Sequence, residues 1–144
     1  MTYYKFDGRM YLDLMNNLIV GKITPQKFQQ MYMEQWEIDR DKQFSSITPE
    51  MEYEEKKIDL LLGRMKITIE QHKNKWCKIR NISEQDSLIQ DIINRGYTTC
   101  DVYWDDATEE DLKNGQLDDN GLIEEITKLY AELKEVLKNE KNVR

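Results

Sequence analysis

The chain has 144 residues, 39% hydrophobic and 34% charged, a size and balance that fit one folded domain and argue against disorder along the whole length. A formal net charge of -7 and a pI near 4.9 oppose nonspecific attraction to nucleic acid or to an anionic membrane. The opening residues hold no apolar run of signal-peptide length and no later stretch is apolar enough to span a bilayer, so a cytoplasmic location is expected.

In chain order, Met10, Tyr11, Leu14, Met15, Leu18 and Ile19 repeat at three and four residues and predict a first helix over about 8–20, ended by Gly21. Thr24-Pro25 and Thr48-Pro49 each pair an N-cap hydroxyl with proline at the first helical position, so helices should start at both. The helix from Pro25 is expected to reach about Asp41 with Phe28, Met31, Tyr32 and Trp36 on one face, and the polar stretch KQFSSI reads as a loop. From Pro49, the series Ile58, Leu61, Leu62, Met65, Ile69, His72 and Trp76 continues to about Lys78. It predicts a strut of about 30 residues and about 45 Å.

Ser83 to Asp86 resembles a capping box opening a short helix that buries Leu88, Ile89, Ile92 and Ile93 and stops at Gly96. Tyr97 to Trp104 reads as a loop packed by its aromatics. Thr108 with Glu109, Glu110 and Asp111 should cap one helical turn ended by Gly115, and Gly121 to Lys138 should form the last helix through Leu122, Ile126, Leu129, Tyr130, Leu133, Val136 and Leu137. Residues 139–144 are expected to fray. No internal repeat or linker divides the chain. The expected fold is therefore one all-α domain over 1–144, a four- to five-helix antiparallel bundle with a long central helix and an acidic irregular segment at 97–120.

Charge placement is more informative than its sum. Asp101, Asp105, Asp106, Glu109, Glu110, Asp111, Asp118 and Asp119 face only Lys113 within their segment, a local -7, while the remainder carries twenty residues of each sign. Tyr103 and Trp104 adjoin this segment outside any strong helical pattern. One reading is an interface in which aromatics anchor and carboxylates steer. The other is a solvated acidic loop pinned by two buried rings.

Catalytic readings find little support. His72, the one histidine, lies on an apolar stripe, where a hydrogen-bonded boundary role fits better than that of a base. With no nucleophile elbow and no Gly-rich phosphate loop, neither a triad nor a nucleotide site can be named. Cys77 and Cys100 form no CxxC pair and, with a single histidine, cannot complete a zinc site; both are expected to be reduced packing residues. Asp118, Asn120 and Gly121 match positions three, five and six of a calcium loop, but Gln116 and Thr127 stand where carboxylates are needed. A helix N-terminus is the simpler reading of that stretch. No catalytic residue, metal or cofactor is expected.

The residues LMNNLIVGKITPQKFQQMYMEQWEIDRD, with Leu18, Gly21, Ile23, Thr24, Phe28, Tyr32, Trp36, Asp39 and Asp41, resemble the opening of the colicin D-type, self-protective colicin-like immunity proteins. The likeness in order of elements extends over about Met10 to Ile93. Residues 43–47 and the acidic segment have no counterpart in the family pattern. The resemblance implies an inhibitor that binds its producer's own toxin, often a transfer-RNA nuclease, including toxins of contact-dependent growth inhibition systems. A nuclease that grips phosphates presents a basic groove, which suits a row of carboxylates. The expected contact set is Tyr103, Trp104, Asp105, Asp106, Glu109, Glu110, Asp111, Asp118 and Asp119. A second surface comprises Glu34, Asp39, Asp41, Glu52, Glu54 and Glu55. The expected partner is a basic toxin domain, with no nucleic acid or membrane, and the chain itself a monomer or weak homodimer. A different class, a phage or mobile-element adaptor working by self-association, predicts an exposed apolar stripe between Ile58 and Trp76. An enzyme using clustered carboxylates predicts a concave pocket and a divalent ion.

Overall fold

The computed structural model describes residues 3–142, and those residues are helical with no strand beyond one isolated bridge. Seven helices follow in order: α1 (Gly8–Ile19), α2 (Pro25–Ser45), α3 (Pro49–Gly63), α4 (Ile69–Arg80), α5 (Glu84–Asp101), α6 (Glu109–Lys113) and α7 (Asp119–Asn142). The all-helical class agrees with the sequence reading, whereas four or five helices were expected.

Local chemistry sets most boundaries. Thr24 and Thr48 cap α2 and α3 with proline in the first turn, and the capping boxes of Ser83 with Asp86 and Thr108 with Asp111 start α5 and α6. One turn recurs four times. Gly21, Met65, Asn81 and Gly115 each adopt positive φ (77°, 58°, 56° and 97°). In each case the next amide reaches back five residues: Lys22 to Asn17 O (2.8 Å), Lys66 to Leu61 O (2.8 Å), Ile82 to Cys77 O (3.0 Å) and Gln116 to Asp111 O (3.1 Å). This bond satisfies carbonyls that the helix end leaves open. A half-buried Ile23, Ile67, Ile82 or Leu117 then precedes the cap residue Thr24, Thr68, Ser83 or Asp118. Lys22-Ile23-Thr24 and Lys66-Ile67-Thr68 are thus a small internal repeat of a turn, where none was expected.

That turn overturns the long strut. The apolar spacing continues past residue 64, but the chain reverses there, because Met65 enters the left-handed region and Thr68 with Gln71 starts a new helix through a full capping box. The apolar residues on either side belong to two helices facing each other. Three further boundaries differ from expectation. α2 runs on through most of KQFSSI to Ser45, where Gln43 donates to the Tyr4 carbonyl (3.0 Å) and exchanges amide hydrogen bonds with Gln90. α5 passes through Gly96 to Asp101, making Tyr97 to Cys100 helical. α7 continues beyond Lys138 to Asn142, so that part of the tail expected to fray is helical; Val143 and Arg144 lie outside the described residues.

α1, α2, α5 and α7 share one core in which Tyr11, Met15, Phe28, Tyr32, Ile93, Cys100, Leu122, Ile126 and Leu133 are fully buried. Among the described residues α4 is the one helix that α3 packs on, and α4 meets the rest through α5 and through Tyr3. The α3–α4 pair is therefore an arm. It is fixed at its base by Arg80, which pairs with Glu55 through two hydrogen bonds and lies 4.5 Å from the ring centres of both Tyr3 and Trp76. Outward along the arm, His72 Nε2 meets Asp59 Oδ1 at 2.7 Å.

Gly96 explains why α5 needs a residue of poor helix propensity in its interior. A Cβ there would stand 2.1 Å from Tyr32 Oη, the hydroxyl that donates to the Ile93 carbonyl at 2.7 Å. Gly96→Ala is expected to cost about 2–3 kcal/mol by overpacking. Tyr32→Phe, which removes the nearest atom, should recover part of that loss in a double-mutant cycle read by urea unfolding. Additive losses would contradict the packing account.

The buried phenols and thiol make stability pH-dependent. Burial foremost, with the acceptor Asp39 added for Tyr4, pushes Tyr4 and Cys100 up to about 12, and burial raises Tyr11 and Tyr32 as well. The unfolded chain releases these protons near 10.0 and 9.0. The folded state therefore holds more protons once pH exceeds these values, and stability falls as pH climbs. The urea midpoint should be insensitive to these groups below about pH 9 and drop steadily above about pH 10. An unchanged midpoint at about pH 11 would contradict this.

Candidate functional site

The acidic segment is a loop with a closed neck. α5 ends at Asp101, and Leu117 N then donates to Val102 O (2.8 Å) while Trp104 N donates to Leu117 O (3.0 Å), forming a parallel bridge between Tyr103 and Leu117. From α2, Gln29 Nε2 donates to the carbonyls of Cys100 (2.8 Å) and Tyr103 (3.1 Å). The Tyr103 ring is buried with 1% exposure and its hydroxyl donates to Asp119. Burial, then this carboxylate, raises the Tyr103 hydroxyl well above the ordinary phenol range. Its proton stays in place to make the bond.

Beyond the neck, the nine residues expected to form a contact surface divide into two groups. Tyr103, Asp111, Asp118 and Asp119 build the loop. Asp111 accepts from Thr108 N (2.9 Å) in the α6 capping box, Asp118 accepts from Gly121 N (2.8 Å) at the start of α7, and Asp119 holds Tyr103. The start of α7 at Asp119 accords with the helix-terminus reading of that stretch. Trp104, Asp105, Asp106, Glu109 and Glu110 form the second group. All five are exposed, and among the described residues none makes a side-chain hydrogen bond or ion pair. Of the two rings beside the acids, one pins the loop and the other, Trp104 at 46% exposure, faces solvent.

Leu112 on α6, within the same loop, is also exposed. Sequence spacing offers no sign of it, since a five-residue helix has no periodicity to read. Among the described residues, no three His, Cys, Asp or Glu side chains are grouped so as to hold a metal ion. No helix among them is long and apolar enough to cross a membrane.

The second surface does not stand as one face. Asp39 is 2% exposed, accepting from Tyr4 Oη (2.7 Å), Tyr11 Oη (2.6 Å) and Gln35 Nε2 (3.1 Å). It is a buried carboxylate satisfied by three neutral donors, tying the N-terminal segment and α1 to α2. Glu55 is turned inward to Arg80. These two cannot present charge to a partner. Asp41 and Glu54 are exposed beside Arg40 and Lys57, and Glu34 and Glu52 are exposed. Cys77 and Cys100 are buried and unpaired to one another.

The neck makes a specific expectation about loop order. Gln29→Ala removes both side-chain bonds to the start of the loop and should speed amide exchange at Trp104 and Leu117 by about tenfold or more, leaving α1 and α7 core amides unchanged. Uniform acceleration throughout the chain would mean the loop is not a separately held unit. Compared with protein-family models, with curated proteins and with solved structures, the chain matches none of them.

Proposed function

We propose that this protein is a cytoplasmic immunity protein that binds a basic toxin domain of its own producer, a nuclease acting on transfer or other RNA, and blocks it. It is not an enzyme in this reading. The observation that carries the proposal is the set of four exposed carboxylates, Asp105, Asp106, Glu109 and Glu110, which lack any cationic partner among the described residues and follow the exposed ring of Trp104 along the chain. The family resemblance of Met10 to Ile93 points the same way.

Mutual repulsion makes unpaired carboxylates in close sequence unfavourable in isolation, and a cationic surface relieves it. Long-range attraction speeds encounter with a basic domain, and Trp104 supplies the apolar anchor that lengthens residence. Closure of the neck before binding spares the ordering cost that a loose acidic tail would incur. Occupation of a phosphate-binding groove by carboxylates then excludes RNA, with no chemistry required of this chain.

The test is co-expression with a basic toxin domain, sought in the neighbouring reading frame, which should be lethal alone and harmless in this protein's company. The triple variant Asp105→Lys, Asp106→Lys and Glu109→Lys should lose protection, with affinity for the toxin domain lowered by about a hundredfold or more. The helical circular-dichroism signal should be retained because these side chains are exposed and, among the described residues, make no hydrogen bond or ion pair. Full protection by a folded triple variant would place the interface elsewhere.

A further inference from the structure

The far end of the arm carries the opposite chemistry to the acidic loop. Leu60 (58%), Met65 (91%) and Ile69 (78%) are exposed there, on three consecutive pieces of the hairpin: α3, the turn and α4. Beside them a shallow, open depression is lined by Lys56, Asp59, Leu60, Gly63 and Arg64. The sequence from Lys56 to Lys75 has six Lys or Arg against Asp59 and Glu70, a local +4. Asp59 is engaged by His72, and among the described residues Lys56, Arg64 and Lys66 have no ion-pair partner. Exposed apolar side chains with unpaired cations are the signature of a docking surface for something acidic with an apolar anchor.

We infer that this tip takes the acidic loop of a second copy of the same chain. The required occupant, an exposed ring among unpaired carboxylates, is present on every copy as Trp104 with Asp105, Asp106, Glu109 and Glu110. The two surfaces do not satisfy each other within one chain, where both remain exposed and unpaired. Among the described residues α4 is the one helix that α3 packs on, and the loop is anchored to α2 and α7, so a second molecule has to supply the contact. Tip-to-tip pairing is opposed by +4 meeting +4, and docking on an anionic lipid surface by the net -7 of the chain. Reciprocal use of tip and loop by two copies closes a two-fold dimer with two equivalent contacts. The inference goes beyond the toxin reading and does not require it, since no toxin takes part.

Sedimentation velocity of the intact chain alone tests it. A dimer should form at about 100 µM protein in about 50 mM salt and dissociate at least about tenfold more readily in about 500 mM salt, as screening of exposed charges demands. Arg64→Glu with Lys66→Glu should give a monomer, as should Asp105→Lys with Asp106→Lys. Mixing these two variants should restore the dimer, because each then offers the charge the other has reversed. A wild-type monomer in low salt would overturn the inference. So would a dimer that tolerates loop reversal, or one strengthened by salt, the behaviour of apolar tip-to-tip contact. Low-salt sedimentation of a monomeric chain with vesicles containing phosphatidylglycerol, lost in Arg64→Glu with Lys66→Glu, would overturn it in favour of a membrane.

Discussion

Eight carboxylates in the nineteen residues from Asp101 to Asp119 repel one another, and only Lys113 lies among them. Such a segment keeps a shape only if something other than counter-charge closes it. Here the closure is made of neutral and dipolar contacts: the Tyr103–Leu117 bridge, two hydrogen bonds from Gln29, the buried ring of Tyr103 and two aspartates used as helix caps. Because no lysine or arginine among the described residues is spent on holding the loop, the remaining carboxylates keep their field toward solvent. The protein can then be rigid and strongly anionic in the same place, which a salt-bridged loop could not be.

A similar economy shapes the interior. Asp39 is buried without a cation, and two tyrosine hydroxyls with a glutamine amide satisfy it. Arg80, the one buried arginine among the described residues, does take a carboxylate, and that pair sits where the arm joins the body, flanked by Tyr3 and Trp76. Breaking either arrangement by removing one member would leave an unmatched buried group, the costly direction of change. The Arg80–Glu55 pair joins α3 to α4, and the stacking of Arg80 on Tyr3 ties that base of the arm to the N-terminal segment.

Helix starts were legible in the sequence because a cap is a local device. Thr24, Thr48, Ser83 and Thr108 act through side chains that reach two or three residues, and each one read from the sequence begins a helix. The break after α3 was locally signalled too, by Gly63 and by the capping box of Thr68 with Gln71, but the uninterrupted apolar period concealed it. Periodicity cannot separate one long helix from two joined by a tight turn when the apolar spacing runs on through that turn. Gly96 illustrates a different failure. It resembles a helix stop, yet it is there for the Tyr32 hydroxyl, sixty-four positions earlier in the chain, and no local rule reveals that. Asp39 was misjudged for the same reason, since its burial depends on Tyr4 and Tyr11. In the acidic loop the charge was legible from composition; which carboxylates serve as caps and which are free was decided by where α6 and α7 begin.

If the loop serves both a toxin and a second copy, the two occupants compete, and their affinities are linked. Toxin then finds its site covered on the fraction of chains held in dimers, and the apparent affinity falls accordingly. With dimerisation near 100 µM that fraction is small at ordinary protein concentrations, and the reduction is less than about twofold. Tight self-association would by contrast occlude the very residues needed for capture. A surface designed for this balance should rely on exposed charges, which are individually weak and screened by salt, and should keep its apolar contribution small. The tip has this composition, with three exposed apolar side chains at a turn and cations around them. The toxin-facing contact need obey no such limit, because a toxin's basic groove can enclose Trp104 more completely than a convex hairpin end can.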